Sequence, residues 1–405
     1  MYIGKETLEK LEKLSKISAG KNGVTRFYLT KEYIEARELI QGWMEEIGLV
    51  TYVDTVGNLI GEYKSKNPEA KTLVLGSHQD TVKEGGAFDG ILGVILPIVC
   101  VKNILQENKE IDCNIKIISF AYEEGITFKN ACLTSKAITG AFTEELLELE
   151  DENGKKLRDA MLEYGFNPQN IEKSRFKKGE IDAFLEIHIE QGPVLVHEKK
   201  AVGIVTAIQA CKRYKLNIKG EAGHSGTIPM KMRKDAGRTM AEIICQSSDL
   251  VEEMGNIVLT FGKIDVKPGV VNIIPGEAEA IIDIRAMKSE ILAETMEKIE
   301  KLIKNITSSK KMEYSLTKIN EILETECSSS IIKALEESFE NTKTPMFKLS
   351  SGAGHDAQEM KEIAEVGMLF VRCKDGISHN PAEEATENDI NVAGKIVIDF
   401  IKNFK

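Results

Sequence analysis

The order of hydrophobic patterns between residues 210 and 325 constrains the fold of this 405-residue chain more than any other feature. Alternation of apolar and polar side chains predicts strands, and apolar residues three or four positions apart predict helices. The segment contains a strand, a helix, two strands, a helix and a final strand, predicted at 213–219, 234–253, 256–265, 277–285, 289–305 and 312–318. This β-α-β-β-α-β series is the ferredoxin-like pattern and is complete in itself.

The flanking sequence has a different pattern, in which helices and strands alternate singly. Its predicted elements are helices at 8–17, 34–47, 90–105 and 328–340, a closing helix from 387, a hairpin within 49–63, and strands at 72–76, 114–122 and 366–372. Such alternation is typical of an α/β domain with a largely parallel sheet. We therefore predict a discontinuous α/β domain with a mixed sheet, residues 1–209 and 326–405, into which an α+β domain, residues 210–325, is inserted.

Composition and charge exclude several classes of protein. The formal net charge is −11 and no basic run is present, so we expect no nucleic-acid or membrane partner. The longest apolar stretch, 91–105, is interrupted by Pro97 and Lys102 and is too short to span a bilayer. The N-terminus has no secretory pattern, and the seven cysteines include no C-x-x-C pair, so we predict a cytoplasmic protein.

Polar residues that suit metal binding follow the predicted strand 72–76. His78 can bind a divalent metal through one ring nitrogen, and Asp80 can hold the other ring N–H and so orient the imidazole. Asp89, in a run of small residues, is a second candidate ligand. Ligands collect at the carboxyl ends of strands in open α/β sheets, which favours a functional interpretation of this loop.

Two adjacent carboxylates, Glu123 and Glu124, follow the next buried strand. Burying such a pair is costly unless a positive group neutralises it. A metal bound to one carboxylate would leave the other to act as a general base.

Two histidines complete the set of candidate ligands. The segment 183–192 alternates strictly, which places His188 on a polar strand face that could line a site. His379 comes just after the predicted strand 366–372, whereas His197 lies in a charged turn and is predicted to be a surface residue.

The candidate ligands offer only nitrogen and oxygen donor atoms and no sulfur. They are His78, Asp89, Glu124, His188 and His379. Two divalent metals that share a carboxylate fit this set better than one structural zinc. Mixed histidine and carboxylate ligation suits Zn²⁺ or Mn²⁺, with Co²⁺ or Ni²⁺ also compatible.

At these residues the sequence resembles the dinuclear metallohydrolases of the aminoacylase/carboxypeptidase superfamily. It is most similar to the branch of N-carbamoyl-L-amino-acid hydrolases, allantoate amidohydrolases and ureidopropionases. The resemblance covers nearly the whole chain and rests on motifs in order: GSHQDTV, GGAFDGILGV, YEEG, HIEQGPVL, GEAGHSGTIPM, NIIPGEAEAIIDIR, SGAGHDAQ and GISHNPAEE. Each motif is weak alone, and the ordered set is specific.

The resemblance implies a role for each candidate ligand. His78 and His188 would bind one metal, Glu124 and His379 the other, and Asp89 would bridge the two. The pKa of a water between the metals would be lowered toward neutrality.

The resemblance also implies roles for residues that do not bind metal. Asp80 would orient His78, and Glu123 would be the acid/base. The inserted domain would be a lid through which the protein forms a homodimer, and His224 of the partner's lid would stabilise the oxyanion.

The substrate implied by the resemblance is a small carboxylate-bearing molecule. Arg285 matches the carboxylate-binding arginine of the family, and Asn272 matches its companion amide. Weaker pocket candidates are Gln191, Arg213 and Gly354, while His355 would be a structural or supporting residue. Differences from many relatives at Thr127, Val196, Ser225 and Ile228 leave the substrate's side chain undetermined.

The predicted function is therefore hydrolysis of a linear C–N bond in an N-carbamoyl or ureido compound, by a hydroxide shared between the metals, with Glu123 as acid/base. Two alternatives use the same residues. One is an aminoacylase or dipeptidase with the same metal site, and the other is a metal-dependent binding protein without catalysis.

Overall fold

The protein is described from a computed structural model that covers residues 2–107 and 110–405. The chain divides into two compact units, of which the first combines Met1–Thr206 with Glu326–Lys405 and the second is Ala207–Thr325. The second unit therefore interrupts the first in the sequence.

The elements up to residue 208 are α1 (Ile3–Ser15), α2 (Lys31–Glu46), β1 (Val50–Val53), β2 (Leu59–Tyr63), β3 (Thr72–His78), α3 (Leu92–Gln106), β4 (Asn114–Phe120), α4 (Leu133–Thr139), α5 (Leu157–Glu163), β5 (Ala183–Ile189), α6 (Val194–His197) and β6 (Val202–Ile208). Those of the next segment are β7 (Ala210–Lys219), β8 (Gly223–His224), α7 (Ala236–Met254), β9 (Ile257–Lys267), β10 (Ile273–Ile274), β11 (Glu277–Ala286), α8 (Ser289–Ser309), β12 (Glu313–Ile322) and β13 (Thr325–Glu326). The chain ends with α9 (Ser329–Asn341), β14 (Lys348–Ser351), α10 (Ala357–Met360), β15 (Glu365–Val371) and α11 (Glu387–Asn403).

The first unit is built on a mixed sheet with strand order β1-β2-β4-β3-β5-β15-β6-β13, and β14 pairs with β6. The four central strands β4, β3, β5 and β15 are mutually parallel, whereas β1, β2 and β6 pair antiparallel. The prediction of a mixed, largely parallel sheet is therefore confirmed. Because parallel strands end at the same edge, the polar segments that follow them are brought together there.

Helix α3 packs on this sheet. Eleven of its fifteen residues are buried, including Pro97, and the helix continues through that proline. Its first turn lies so close to β5 that a Cβ built on Gly93 would meet the Ile187 carbonyl oxygen at 1.9 Å. In the part of the chain that the structure describes, no helix combines the length and hydropathy needed to cross a bilayer.

Some elements were not predicted. The strand β6 has the sequence VGIVTAI, and six of its seven residues are buried. A strand that is covered on both faces has no polar alternation, so its periodicity does not distinguish it from other apolar segments. The charged tract 144–180 contains α5 and two 3₁₀ segments, Glu144–Glu148 and Pro168–Ser174.

The second unit is built on an antiparallel sheet with strand order β12-β7-β11-β9. Its long helices α7 and α8 pack on this sheet and share a core of apolar side chains with it, among them Ile243, Ile299, Leu216 and Ile282. The main elements follow one another as β-α-β-β-α-β. The short pair β8–β10 is an addition that the periodicity did not predict.

Two helical glycines allow a matched test of the packing of α3. We expect Gly93→Ala to lower the free energy of unfolding by about 1–3 kcal/mol or more, because the added Cβ has no space against the sheet. Gly42→Ala in α2, where a Cβ meets nothing within 4 Å, should instead raise it by about 0.5–1 kcal/mol through helix propensity. Urea denaturation followed by circular dichroism measures both, and equal shifts of the same sign would contradict the packing argument.

Candidate metal centre

Three buried side chains converge where β3 and β5 end. His78 is the last residue of β3, His188 lies near the end of β5, and Asp89 comes from the loop before α3. The Asp89 Oδ1 atom lies 3.1 Å from His188 Nε2 and 3.9 Å from His78 Nε2, and the two Nε2 atoms are 3.4 Å apart. These atoms could hold one metal ion.

A second group forms on the other oxygen of the same aspartate. Asp89 Oδ2 lies 3.0 Å from His379 Nε2, which is 3.8 Å from Glu124 Oε2. This group could also hold a metal ion. All five ligand candidates predicted from the sequence are thus brought together, and Asp89 belongs to both groups.

Backbone carbonyls orient the two buried imidazoles. The Nδ1 atom of His78 lies 2.9 Å from the Asp80 carbonyl oxygen, and Nδ1 of His188 lies 2.8 Å from the Ile189 carbonyl oxygen. Each Nδ1 must therefore carry a proton, since a carbonyl only accepts. The Gly90 N–H points at His188 Nε2 at 3.2 Å, which indicates a lone pair on that nitrogen.

Asp80 acts on the turn that follows β4 more directly than on the imidazole. Its carboxylate accepts hydrogen bonds from the backbone N–H of Glu123 at 3.0 Å and of Glu124 at 3.2 Å. Its Oδ1 lies 3.4 Å from His78 Nδ1, farther than its own carbonyl oxygen. The predicted orienting role for Asp80 thus extends to both glutamates.

The donor atoms fit a cation. Asp89 Oδ1 and Glu124 Oε1 are buried and have no hydrogen-bond partner, and Asp89 Oδ1 faces the lone pair of His188. Burial, then the charge of Asp89, raises the pKa of Glu124 to about 7. A hydrogen bond to Asp89 raises the pKa of His379 to about 9. A bound divalent cation would neutralise these carboxylates and leave the imidazoles uncharged as ligands.

Glu123 lies beside the two groups without belonging to either. Its side chain is buried, and its Oε2 lies 3.9 Å from His78 Nε2. Burial raises the pKa of Glu123 well above its ordinary value, and the charge of Glu124 adds to this effect. A carboxyl group whose pKa is raised in this way is suited to general acid/base catalysis.

Gln191 and His379 have left-handed backbones, with φ of 58° and 52°. Gln191 Nε2 donates to Asp89 Oδ2 at 2.9 Å and lies 3.2 Å from His379 Nε2. The predicted pocket residue Gln191 therefore contacts the shared ligand itself. Left-handed backbones at residues other than glycine are strained and concentrate at functional sites.

Glu383 was not among the site residues predicted from the sequence. Its buried carboxylate accepts hydrogen bonds from the backbone N–H of Phe88 and Asp89, both at 3.0 Å, and from Ser378 Oγ at 2.8 Å. It thereby joins the loop of Asp89 to the loop of His379. The one available signal was its position in the motif GISHNPAEE, four residues after His379. A glutamate on the surface would fit that motif equally well.

His355 supports the imidazole of His188. The two ring centroids are 4.6 Å apart, and His355 Nε2 lies 2.8 Å from Ser351 Oγ. His355 is buried, and the preceding Gly354 is exposed. The ring of His355 thus packs against the imidazole that β5 contributes to the first donor group. His197 is exposed, as predicted.

Two predicted residues of the second unit lie together at one end of its sheet. His224, in β8, pairs with Ile273 of β10, and the Ser225 N–H donates to the Asn272 carbonyl oxygen at 3.0 Å. His224 and Asn272 are both exposed. The structure therefore places both residues on the surface of this unit, at neighbouring positions of the β8–β10 pair.

Arg285 lies at the opposite end. It pairs in register with Cys211, whereas Glu277, at the start of β11, pairs with Lys219. Eight residues of strand separate Arg285 from Glu277, which is roughly 26 Å at about 3.3 Å per residue. Asn272 precedes that start in the sequence, so Asn272 and Arg285 flank opposite ends of β11.

Arg285 shares an acidic partner with Arg213. Its Nε lies 2.8 Å from Asp283 Oδ1, and the Nε of Arg213 lies 2.8 Å from Asp283 Oδ2. The carboxylate of Asp283 thus holds both guanidinium groups at the same end of the sheet.

Comparisons with known proteins identify the class to which this fold and this arrangement of donors belong. The sequence matches the family described as Peptidase family M20/M25/M40 over residues 74–403, and the chain belongs to that family. The resemblance found in the ordered motifs is therefore confirmed.

Relatives cover nearly the whole chain. An N-carbamoyl-L-amino-acid amidohydrolase of Pseudomonas sp. (strain NS671) is 37% identical and aligns over 98% of each chain. An allantoate deiminase of Arabidopsis thaliana is 32% identical over 98% of this chain and 82% of its own length. Among solved structures, an amidase of the hydantoinase/carbamoylase family from Burkholderia multivorans has a TM-score of 0.90 at 30% identity, covering 98% of this chain and 97% of its own.

The shared position of Asp89 predicts unequal effects of ligand substitutions on metal content. After reconstitution and gel filtration, we expect Asp89→Ala to lose most of both metals, because each group loses an oxygen. His379→Ala should lose mainly one. Plasma mass spectrometry measures the metal per chain, with His197→Ala as the histidine control, and an Asp89→Ala protein that retains both metals would contradict the shared-ligand arrangement.

Proposed function

We propose that this protein is a metal-dependent amidohydrolase that cleaves a linear C–N bond of a carboxylate-bearing N-carbamoyl or ureido compound. The observation that carries the proposal is the pair of donor groups sharing Asp89, with the carboxylate of Glu123 beside them. Relatives aligned over nearly the full chain are named N-carbamoyl-L-amino-acid amidohydrolases and allantoate deiminases, which supports this substrate class.

The five donors would hold two divalent cations, with Zn²⁺ or Mn²⁺ best suited and Co²⁺ or Ni²⁺ compatible. His78 and His188 would hold one ion, Glu124 and His379 the other, and Asp89 both. When bound, the metals supply Lewis-acid polarisation of the scissile carbonyl and lower the pKa of a water molecule.

Glu123 is the proposed acid/base. Its Oε2 faces the donor groups, so it can take the proton of the attacking water and deliver it to the departing nitrogen. Asp80 holds the turn after β4 in place, because its carboxylate accepts hydrogen bonds from the backbone N–H groups of Glu123 and Glu124. Gln191, on Asp89 Oδ2, would restrain the shared ligand.

The second unit would serve as a lid and dimerisation module. Its strand β9 is at an edge of the sheet and has eleven residues, and Val258, Ile264 and Val266 on it are exposed by 57%, 50% and 41%. Long edge strands with apolar side chains are normally covered, and a second copy of the chain would cover this one.

The positions of the predicted substrate residues favour a dimer whose sites are shared. His224 and Asn272 lie far along the sheet from Arg285, so one site can use all three when the first two come from the partner chain. Arg285, with Arg213, would bind the substrate's carboxylate. His224 would donate to the oxyanion as the tetrahedral carbon forms, and Asn272 would contact the same substrate.

A substrate panel tests the proposed activity. The metal-reconstituted protein is assayed with N-carbamoyl, N-acetyl and dipeptide derivatives of the same L-amino acids, and with allantoate, ureidoglycolate and 3-ureidopropionate. We expect turnover on at least one carbamoyl or ureido compound and at least about 100-fold lower kcat in Glu123→Ala, whose metal content is unchanged.

Other outcomes of this panel have defined meanings. A preference for the N-acetyl or dipeptide compounds would support an aminoacylase or dipeptidase, and turnover of none would support a binding protein. An active Glu123→Ala enzyme would remove the acid/base role from that residue.

Complementation tests the shared site. We expect Glu123→Ala and His224→Ala to be nearly inactive alone, and a refolded equimolar mixture to recover about a quarter of the wild-type activity, because half of randomly formed dimers contain one intact site. A mixture of Glu123→Ala and Asp80→Ala should recover no activity, because one chain contributes both residues to a site and each site of the mixed dimer then lacks one of them. Equal activity of the two mixtures would show that His224 does not act on the partner's site.

A further inference from the structure

The side chain of Cys132 contacts the proposed acid/base. Its Sγ lies 3.5 Å from Glu123 Oε1, and its backbone N–H donates to the Glu123 carbonyl oxygen at 2.9 Å. Cys132 is 5% exposed and Glu123 is 8% exposed, so the thiol and the carboxylate meet away from bulk water. An S–H is a weak donor, but here it meets a buried carboxylate, which is a strong acceptor.

The two carboxylate oxygens of Glu123 have different neighbours. Oε1 faces the thiol, while Oε2 lies 3.9 Å from His78 Nε2 and thus faces the candidate metal ligands. The backbone N–H of Glu123 donates to Asp80, and its carbonyl oxygen accepts from Cys132. Among these polar atoms, Oε2 alone is left to exchange a proton with substrate.

The backbone at Cys132 is held in a conformation that a cysteine rarely adopts. Its φ is 58°, in the left-handed region, and α4 begins at the next residue. The hydroxyl of Thr134, in the first turn of α4, accepts hydrogen bonds from the backbone N–H of Ala121 and Tyr122. The start of α4 is thus fixed to the segment between β4 and Glu123, which keeps the thiol in place despite the strain.

We propose that Cys132 is a positioning residue for the hydrolytic reaction: its S–H donates to Glu123 Oε1 and holds the carboxylate with Oε2 toward the two metal-ligand groups. The inference rests on the function proposed above. Burial, followed by the charge of Glu123, raises the pKa of Cys132 well above its ordinary value, so the thiol keeps its proton as a donor. Cys132 itself touches neither substrate nor metal in this role.

Four variants separate positioning from structural support. We expect Cys132→Ala and Cys132→Gly to lower kcat about five- to tenfold, the effect of losing one hydrogen bond, with KM and metal content unchanged. Cys132→Ser retains a donor and should stay within about twofold of the wild type. Cys113→Ala removes a buried thiol elsewhere, next to the Ile401 carbonyl, and should leave kcat unchanged.

The glycine variant distinguishes catalysis from stability. A left-handed backbone is unstrained for glycine, so Cys132→Gly should unfold at a urea concentration no lower than Cys132→Ala while sharing its low kcat. If kcat instead followed the unfolding midpoints across the variants, the effect would be structural and the proposal would be overturned.

Infrared spectroscopy tests the contact without turnover. The S–H stretching band of Cys132, isolated as the difference between wild type and Cys132→Ala, should lie below that of Cys113 and should rise in Glu123→Ala. An unshifted band, or wild-type kcat in Cys132→Ala, overturns the positioning role. Absence of wild-type turnover on the substrate panel overturns the proposed function instead, and the band then still decides whether the thiol binds the carboxylate.

Discussion

The carboxylate of Asp89 is the interaction on which the rest of the site depends. Its two oxygens face different sets of histidines, and these histidines come from β3, β5 and the loop after β15. An uncompensated carboxylate at this depth would be strongly disfavoured, so the surrounding groups must supply either protons or cations. The parallel order of the central strands makes this convergence possible, because it brings three chain segments far apart in sequence to one edge of the sheet.

Three further buried acids accept hydrogen bonds from segments around the candidate ligands and belong to neither ligand group. Asp80 accepts the backbone N–H groups of the glutamate turn, and Glu383 accepts those of the Asp89 loop. Glu186 does the same for Ala357 N–H, at 2.9 Å, and for Ser77. Hydrogen bonds to a carboxylate are stronger than those between neutral groups, so Asp80 and Glu383 each restrain a loop, and Glu186 fixes the start of α10 and Ser77 of β3 to β5.

Much of the fold and of the candidate centre could be predicted from the sequence, for physical reasons that also explain what was missed. The strands before His78 and Glu123 are short apolar runs followed directly by polar residues, a local signal that places those residues at strand ends. Glu383 and Cys132 carry no such signal, because what they do depends on contacts with other parts of the chain. Glu383 contacts a residue 295 positions away, and Cys132 contacts one nine positions away. The separation of Asn272 from Arg285 required strand register, which local periodicity does not contain.

The interruption of the first unit has a consequence for how the protein is made. Strands β5 and β6 leave the ribosome early, but β15, which pairs parallel with β5 and antiparallel with β6, is among the last segments to be synthesised. During translation the second unit can complete its own antiparallel sheet while the first still lacks a central strand. For that interval the nascent chain exposes unpaired strand edges, so premature termination after the second unit would release a polypeptide prone to aggregation and lacking His379.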